Sequence, residues 1–240
     1  MTRVIAIAGY GKSGKTVTIE KLIEELRNRG YTVGTIKHIG QEDFTFDQEG
    51  TDTWRHAGAG SEKVIALSQG EIATIEKKDK SIRDLLLEET DELDFMILEG
   101  FKTIKNIPKV MMVRKEDDVE SLTDDFTVTT LKKADGELAP EEVTDLADLV
   151  EERAVMPVGS LDCAECGFDS CSDYVAAVAK GEAPGDLCKS VQGGVSMHVD
   201  GRRVPLKGFV REIVGEVVRG MTSALKDTKG HEIEIRVDKE

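Results

Sequence analysis

Apolar and polar positions along the first 150 residues predict an alternation of strands and helices. The apolar run RVIAIA (3–8) ends in glycine and predicts a buried strand. From Lys15 apolar residues recur at helical spacing as far as NRG (28–30), whose glycine is a typical helix stop. YTVGTIKH (31–38) predicts the next strand. Strand, glycine loop, helix and strand make one βαβ unit, which favours a parallel sheet.

The same alternation continues to residue 153. Strands are predicted at KVIAL (63–67), IATIE (72–76), DFMILEG (94–100), KVMMVR (109–114) and FTVTT (126–130). The first two are joined by SQGE and are predicted to pair. Helices are predicted at TDTWRHAGAG (51–60), SIRDLLLEE (81–89) and PEEVTDLADLVEER (140–153). The polar segment GQEDFTFDQEGTD (40–52) predicts a mobile loop.

The pattern changes after residue 154, which predicts two domains, 1–154 and 155–240. MPVGS (156–160) is typical of a linker, and all four cysteines follow it. Asp200-Gly201, between two short alternating runs, indicates a hairpin within 195–206. Residues 209–226 have the apolar stripe of an amphipathic helix. EIEIRV (232–237) alternates strictly and predicts a closing strand.

Composition narrows the classes of protein that fit this pattern. The formal net charge of −15 argues against binding to nucleic acid or to anionic membranes, because both depend on basic patches. The sequence has no apolar stretch near the roughly 18 residues of a membrane span, and its start lacks the features of a signal peptide. We therefore expect a cytoplasmic protein, in which cysteines bind metal or do redox chemistry more often than they form disulfides.

GYGKSGKT (9–16) fits the phosphate-loop pattern G-x-x-x-x-G-K-[ST], between a predicted strand and a predicted helix. Glycines allow backbone N–H groups to point at phosphate, and the helix that follows directs its N-terminal dipole at the same anion. Lys15 is predicted to reach the β- and γ-phosphates, and the Thr16 hydroxyl to ligate Mg²⁺. The predicted nucleotide-binding residues are Gly11, Lys12, Ser13, Gly14, Lys15, Thr16 and Val17.

A phosphate loop also needs an acid that holds Mg²⁺ or its water. Glu99 ends the strand FMILE, and ligands gather at the carboxyl ends of parallel strands. Asp47, in the segment FTFDQEG, is a second candidate. Lys15, Glu99 and Asp47 are thus the candidate catalytic residues, while motif spacing does not choose between GTP and ATP.

GYGKSGKT, TIKH (35–38), FDQEGTDTWRHAGA (46–59), LEGFK (98–102) and IPKV (107–110) together resemble the molybdopterin-guanine dinucleotide biosynthesis adaptor family, MobB. The resemblance spans about residues 1–150. It implies a P-loop NTPase-like α/β fold, a mostly parallel sheet with flanking helices. It also implies a protein that binds GTP and Mg²⁺, is at most a weak GTPase and is often a homodimer. Its implied partners are the guanylyltransferase and insertion proteins of the molybdenum or tungsten cofactor, together with molybdoenzymes.

The positions that the resemblance implies around the nucleotide or a partner surface are Asp47, Asp52, Arg55, His56, Glu99 and Lys102. Members of the family often have several histidines after IKH, whereas here His38 stands alone.

The four cysteines have the spacing C-x2-C-x4-C-x16-C, at Cys163, Cys166, Cys171 and Cys188. Three thiols on one loop and a fourth after a helix suit a [4Fe–4S] cluster, whose irons each take one thiolate. Zinc is an alternative, although four-cysteine zinc sites usually use two short knuckles, and free thiols or a redox disulfide are a third possibility. The segment also resembles a small Fe–S domain, which implies an α+β module at the C-terminus. Such a cluster serves a structural, a sensory or an electron-transfer role.

The leading hypothesis is a GTP-binding adaptor of molybdenum or tungsten cofactor synthesis with an added Fe–S module. A P-loop kinase of a small metabolite is one alternative, which requires a second substrate pocket and usually an arginine-bearing lid. A nucleotide-regulated Fe–S electron-transfer or scaffold protein is the other.

Overall fold

A computed structural model describes residues 2–41, 44–88, 93–132, 138–158, 160–192, 194–199, 202–225 and 233. In chain order its elements up to residue 153 are β1 (Arg3–Gly9), α1 (Lys15–Asn28), β2 (Val33–Lys37), α2 (Asp52–Gly58), β3 (Lys63–Leu67), β4 (Ile72–Glu76), α3 (Ile82–Glu88), β5 (Phe95–Glu99), β6 (Lys109–Val113), α4 (Asp117–Leu122), β7 (Thr127–Lys132) and α5 (Pro140–Arg153). The later elements are α6 (Cys171–Lys180), β8 (Met197–Val199), β9 (Arg202–Val204) and α7 (Gly208–Ser223).

A five-stranded sheet in the order β2-β5-β1-β6-β7 forms the centre of the fold. Every neighbouring pair in it is parallel, so the carboxyl ends of all five strands lie at one edge. The register pairs Ile7 of β1 with Glu99 of β5, which brings the start of the glycine loop beside the predicted acid. The predicted α/β class and parallel sheet are confirmed.

Strand β1 is buried on both faces because helices cover the sheet on either side. Its residues alternate between two apolar clusters, as the two-residue period of a strand requires. Ile5 and Ile7 join the cluster that contains residues of α1 and α5. Val4 and Ala6 join the cluster that contains Leu86 of α3. The continuous run RVIAIA therefore reflects a central strand rather than a half-exposed one.

Residues that follow α5 pack against both the sheet and α6. Val155 pairs with Val4 in an antiparallel bridge, and Met156 and Val158 are buried. They share a cluster with α6, with Cys188 and with Phe126, which precedes β7. Met156 and Val158, which belong to the segment predicted as a linker, are thus packed into the fold, while the division into domains 1–154 and 155–240 stays a prediction.

The observed bounds match the sequence predictions most closely in β3, β4 and α5, and β3 and β4 pair antiparallel. Helix α4 was not predicted. The hairpin prediction is met by β8 and β9, although its turn residues Asp200 and Gly201 lie outside the described residues. The predicted strand 232–237 lies outside them too, apart from Ile233. Among the described helices, none is both long and apolar enough to cross a bilayer.

Lys109 is a buried cation inside β6, with a side chain 0% exposed. Its ammonium group donates hydrogen bonds to the carbonyl oxygens of Lys102 (3.2 Å) and Ile104 (3.1 Å). It also forms an ion pair with Asp124, whose side chain is 41% exposed. A buried charge is stable only when it is paired and hydrogen-bonded, and these three partners meet that condition. Lys109 therefore fixes the β5–β6 loop and the approach to β7 against the sheet.

We predict that Lys109→Ala lowers the free energy of unfolding by about 2 to 3 kcal/mol, since it removes buried volume and strands the partners of the ammonium group. Lys109→Met keeps the volume, so the loss that remains in this variant reports on the polar contacts. Urea denaturation measures both. Lys132→Ala, which breaks the exposed pair between Lys132 and Glu116, is the control and should change stability by no more than about 0.5 kcal/mol. Equal effects of Lys109→Ala and the control would contradict this account.

Candidate functional site

The glycine loop between β1 and α1 has the backbone of a phosphate cradle. Gly9 has φ 149° and Gly14 has φ 84°, both in the region that favours glycine. A Cβ on Gly9 would lie 2.3 Å from the carbonyl oxygen of Met112, so only glycine lets the loop cross β6 this closely. A Cβ built on Gly11 would meet no atom of the described residues within 4 Å beyond its chain neighbours, so there is open space beside the loop at this residue. Ser13 is buried, whereas Lys12 and Val17 are exposed.

Lys15 folds back over the loop that it belongs to. Its ammonium group donates a hydrogen bond to the carbonyl oxygen of Tyr10 at 2.6 Å and lies 3.4 Å from the Ser13 hydroxyl oxygen. Burial is the largest influence and lowers the pKa of Lys15, and the nearby Glu99 opposes that effect. A phosphate in the cradle would supply the negative charge that this desolvated ammonium group lacks.

Thr16 and Glu99 meet at the edge of the sheet. The Thr16 hydroxyl donates to Glu99 Oε1 at 3.0 Å, and the ammonium group of Lys37 donates to the same oxygen at 3.0 Å. The Glu99 side chain is 14% exposed. A hydroxyl and a carboxylate oxygen are the hard ligands that Mg²⁺ prefers, so this donor set fits the ion predicted from the sequence.

More cations surround the loop than the sequence motif indicates. The ammonium group of Lys102 lies 4.7 Å from the centre of the Tyr10 ring, and the guanidinium carbon of Arg114 lies 5.8 Å from it. Both of these cations, and Lys37 as well, act to lower the pKa of Lys15. Sequence reasoning missed Lys37 and Arg114, although Lys37 ends β2 and Arg114 directly follows β6. The strand-end rule that selected Glu99 would have found both.

Asp47 makes its hydrogen bonds within its own segment. Its Oδ1 accepts from the hydroxyls of Thr51 (2.7 Å) and Thr53 (2.9 Å) and from the backbone N–H of Gln48 (2.9 Å). The hydrogen bond from Thr51 is the main reason that the pKa of Asp47 is held below its usual range. Thr51 in turn caps α2. Within the described residues Asp47 has no hydrogen bond to the phosphate loop, and its catalytic role stays a prediction.

Asp52, Arg55 and His56, the other positions implied by the family resemblance, are exposed, as is His38. The backbone N–H of His38 donates to the carbonyl oxygen of Glu99 at 2.9 Å, so His38 borders the end of β5. Arg55 and Asp52, on α2, form an exposed ion pair of 3.7 Å. His56 is exposed on the same helix. The structure thus brings Lys15, Thr16, Glu99 and Lys102 together around the phosphate loop and leaves α2 at the surface.

All four cysteines are unpaired and line one small cavity. Cys171 and Cys188 are buried, while Cys163 and Cys166 are half-buried. Three thiols on a loop were expected, but Cys171 is the first residue of α6, because Ser170 caps that helix by accepting from the N–H of Asp173 at 3.0 Å. The side chain of Cys171 therefore starts from a rigid helix end.

A tight turn and a buried tyrosine shape the cavity. The N–H of Gly167 donates to the carbonyl oxygen of Ala164 at 3.0 Å, and both residues have positive φ, so the chain reverses between Cys163 and Cys166. On the other side Tyr174 is 1% exposed. Its hydroxyl donates to the carbonyl oxygen of Pro184 at 3.0 Å and accepts from the N–H of Leu187 at 3.1 Å. Leu187, the residue before Cys188, is thereby hydrogen-bonded to Tyr174 of α6.

Four thiols at one cavity are a donor set that fits an iron–sulfur cluster, which takes one thiolate on each of its irons. Among the described residues no three histidine, cysteine or acidic groups converge closely enough to hold one ion. One zinc ion draws its thiolates to about 2.3 Å, whereas a four-iron cluster spreads four thiolates over four irons. Burial raises the pKa of the Cys171 thiol, so loading of metal on this cysteine releases a proton.

We predict that Glu99→Gln removes the dependence of nucleotide affinity on Mg²⁺, because the amide keeps the size of the side chain but loses its charge. Titration calorimetry with and without Mg²⁺ measures this effect. Lys15→Ala is the benchmark and should abolish binding under both conditions without unfolding the chain. A Glu99→Gln protein that gains as much affinity from Mg²⁺ as the wild type would exclude Glu99 from the metal site.

Comparison with known proteins finds a family match for the region of the phosphate loop and another for the region of the cysteines. A family model described as "MobB: Molybdopterin guanine dinucleotide synthesis protein B" matches residues 4–133, and one described as "Putative Fe-S cluster" matches residues 160–190. A "Putative molybdopterin-guanine dinucleotide biosynthesis adapter protein" of Methanocaldococcus jannaschii is 35% identical over 245 residues, 99% of each chain. The "Molybdopterin-guanine dinucleotide biosynthesis adapter protein" of Haemophilus influenzae is 38% identical over 116 residues, 47% of this chain and 64% of that protein.

The crystal structure of Bacillus subtilis MobB has the same fold, with a TM-score of 0.51 at 24% identity over 61% of this chain and 97% of that one. The first family model spans more than half of the chain, and the Methanocaldococcus relative aligns along almost its whole length. The chain therefore belongs to the molybdopterin-guanine dinucleotide synthesis protein B family.

Proposed function

We propose that this chain is a GTP-binding adaptor in molybdopterin-guanine dinucleotide synthesis. The observation that carries the proposal is the 3.0 Å contact between Thr16 and Glu99, which joins the phosphate loop to an acid at the end of a neighbouring strand. In a member of this family that contact supports binding of a magnesium nucleotide. Adaptor, the word in the names of the relatives, describes a protein that acts through its partners.

Different residues around the loop would contact the phosphates and the Mg²⁺ of a bound nucleotide. Lys15 neutralises phosphate charge, Thr16 and Glu99 hold Mg²⁺, and Lys102 and Arg114 add positive charge beside Tyr10. In the described part of the chain, Glu99 is the one carboxylate hydrogen-bonded to this loop. The proposal includes at most weak GTP hydrolysis, in keeping with a protein that senses its nucleotide.

The cysteine region is proposed to hold one [4Fe–4S] cluster on Cys163, Cys166, Cys171 and Cys188. Its support is that all four thiols line the same cavity within the stretch matched by the Fe–S family model. When bound, a cluster would supply one-electron chemistry or a redox signal. Zinc, the alternative, would serve a structural role at the same thiols.

The proposed partners are the guanylyltransferase and insertion proteins that handle the finished cofactor, together with molybdoenzymes. We further propose a homodimer. It is supported by the hairpin β3–β4, whose Ile65, Leu67 and Ile72 side chains are 58%, 76% and 68% exposed. Contiguous exposed apolar residues of this kind are typical of an interaction surface.

The adaptor proposal predicts nucleotide-dependent partner capture. The wild type, loaded with a slowly hydrolysed GTP analogue and Mg²⁺, is used as bait in an anaerobic lysate of its native host. It should recover cofactor-synthesis proteins or molybdoenzymes, whereas the ATP analogue and Lys15→Ala bait should not. Equal recovery with GTP, ATP and Lys15→Ala bait would reject the nucleotide-dependent adaptor. Phosphorylation of a small metabolite from ATP would favour the kinase alternative.

The cluster proposal predicts protein that is brown when purified without oxygen, with about four irons and four sulfides per chain. Cys188→Ser should lose most of the iron, because its thiol is one of only four donors, while Lys180→Ala, an exposed change at the end of α6, should keep the iron. Metal analysis and visible absorption measure both. Colourless wild-type protein with stoichiometric zinc would replace the cluster by a zinc site.

A further inference from the structure

The four thiols reach their cavity from two separate stretches of the chain. Cys163, Cys166 and Cys171 come from one continuous stretch, and Cys188 comes from a turn that follows α6. Tyr174 ties that turn to α6 on one side. A metal centre keeps its affinity only if both stretches stay at a fixed separation, since the groups behind the ligands set their positions.

The first of these stretches is fastened to the start of α7 by Glu165, which stands between Cys163 and Cys166. Both carboxylate oxygens of Glu165 accept from the backbone N–H of Gly208, at 2.9 and 2.8 Å. Gly208 is the first residue of α7, where the helix dipole favours a negative charge. A Cβ on Gly208 would lie 2.7 Å from Glu165 Oε2, so a larger residue at this position would displace the carboxylate.

The second stretch is fastened to the same turn of the helix by Arg211. Its guanidinium group donates to the carbonyl oxygens of Lys189, Ser190 and Gln192, and to that of Leu206 at 3.1 Å. Three of these four acceptors directly follow Cys188. Ser190 is itself buried and has its hydroxyl oxygen 3.2 Å from the Cys188 sulphur. The flat, multiply donating guanidinium group is suited to holding several carbonyls at once.

We propose that the first turn of α7, residues 208–211, holds the two cysteine-bearing stretches of the metal centre at a fixed separation, and we call this turn the clasp. Glu165 and Arg211 are its positioning residues. Gly208 and Arg211 are three residues apart and so lie on one face of the helix, where they contact both cysteine-bearing stretches. Helix α7 lies outside the residues matched by either family model. The clasp rests on the proposed metal centre, whichever metal occupies it, and adds the part of the chain that retains it.

Thermodynamic linkage makes the clasp reciprocal. If α7 holds the two stretches at the separation that the metal requires, bound metal must equally hold α7 in place. Removal of the clasp then weakens metal retention, and removal of the metal loosens the first turn of α7. A residue that merely stabilised the fold would not tie these two effects together.

The test compares Arg211→Ala with Arg219→Ala in the full chain, reconstituted anaerobically with iron and sulfide. Arg219 lies about two turns further along α7, and among the described residues its ion pair is an exposed one with Glu216 at 2.7 Å. We expect a chelator to bleach the Arg211→Ala cluster about ten times faster than the wild type, and Arg219→Ala to match the wild type. Arg211→Lys keeps the positive charge but loses the planar guanidinium group, so this variant should retain the cluster little better than Arg211→Ala does. The EPR signal of the reduced cluster should shift in Arg211→Ala and should not shift in Arg219→Ala.

Hydrogen exchange supplies the reciprocal readout. Loading with metal should slow amide exchange over residues 208–215 in the wild type and in Arg219→Ala, but not in Arg211→Ala. Unchanged nucleotide affinity shows that the variant is folded elsewhere. Bleaching of Arg211→Ala at the wild-type rate, or equal protection of α7 in both variants, overturns the clasp.

Failure of the clasp and failure of the cluster give different results. If the wild type takes up zinc and no iron, the cluster assignment fails, and competition with a zinc chelator tests Arg211→Ala in the same way. If the wild type retains neither metal, both proposals fall.

Discussion

A single buried ammonium group, that of Lys109, organises the part of the molecule on which both candidate sites depend. Since a desolvated charge must be satisfied, the carbonyls of Lys102 and Ile104 and the carboxylate of Asp124 surround the Lys109 ammonium group beside β6. The β5–β6 loop is held in a defined shape as a result. That shape places the Lys102 side chain over Tyr10 of the phosphate loop.

The same loop also reaches the cysteine region. Asn106, which has φ 61°, accepts a hydrogen bond of 2.7 Å from the hydroxyl of Ser172, next to Cys171 at the start of α6. The segments LEGFK and IPKV that carry the family resemblance thus bracket a loop that contacts the nucleotide site at one end and the cysteine module near the other. Glu99 and Lys102 border the phosphate loop themselves. Lys109 acts through the backbone, because its ammonium group holds the carbonyls of the β5–β6 loop.

The sequence was most informative where one local signal decides the structure. The bounds of β3, β4 and α5 could be predicted because apolar runs and Pro140 mark them, and Glu99 could be placed beside Thr16 by the strand-end rule. Helix α4 was missed because only Val119 and Leu122 give its six residues any apolar period. The burial of Lys109 was out of reach, since its partners lie up to 15 residues away and meet only in three dimensions. Arg211 was likewise invisible, because its acceptors are backbone carbonyls that no side-chain pattern reveals.

The cations around the phosphate loop have a consequence for the effect of ionic strength. Lys37, Lys102 and Arg114 act on Lys15 at short range, within a chain of formal net charge −15. The acidic remainder repels an anionic nucleotide over long distances, but salt screens that repulsion beyond a Debye length of about 8 Å at 0.15 M. The attraction at contact survives, because the cations lie beside the loop and Lys15 is partly desolvated. Nucleotide capture by this chain should therefore withstand cellular salt better than capture by a protein that relies on its overall positive field.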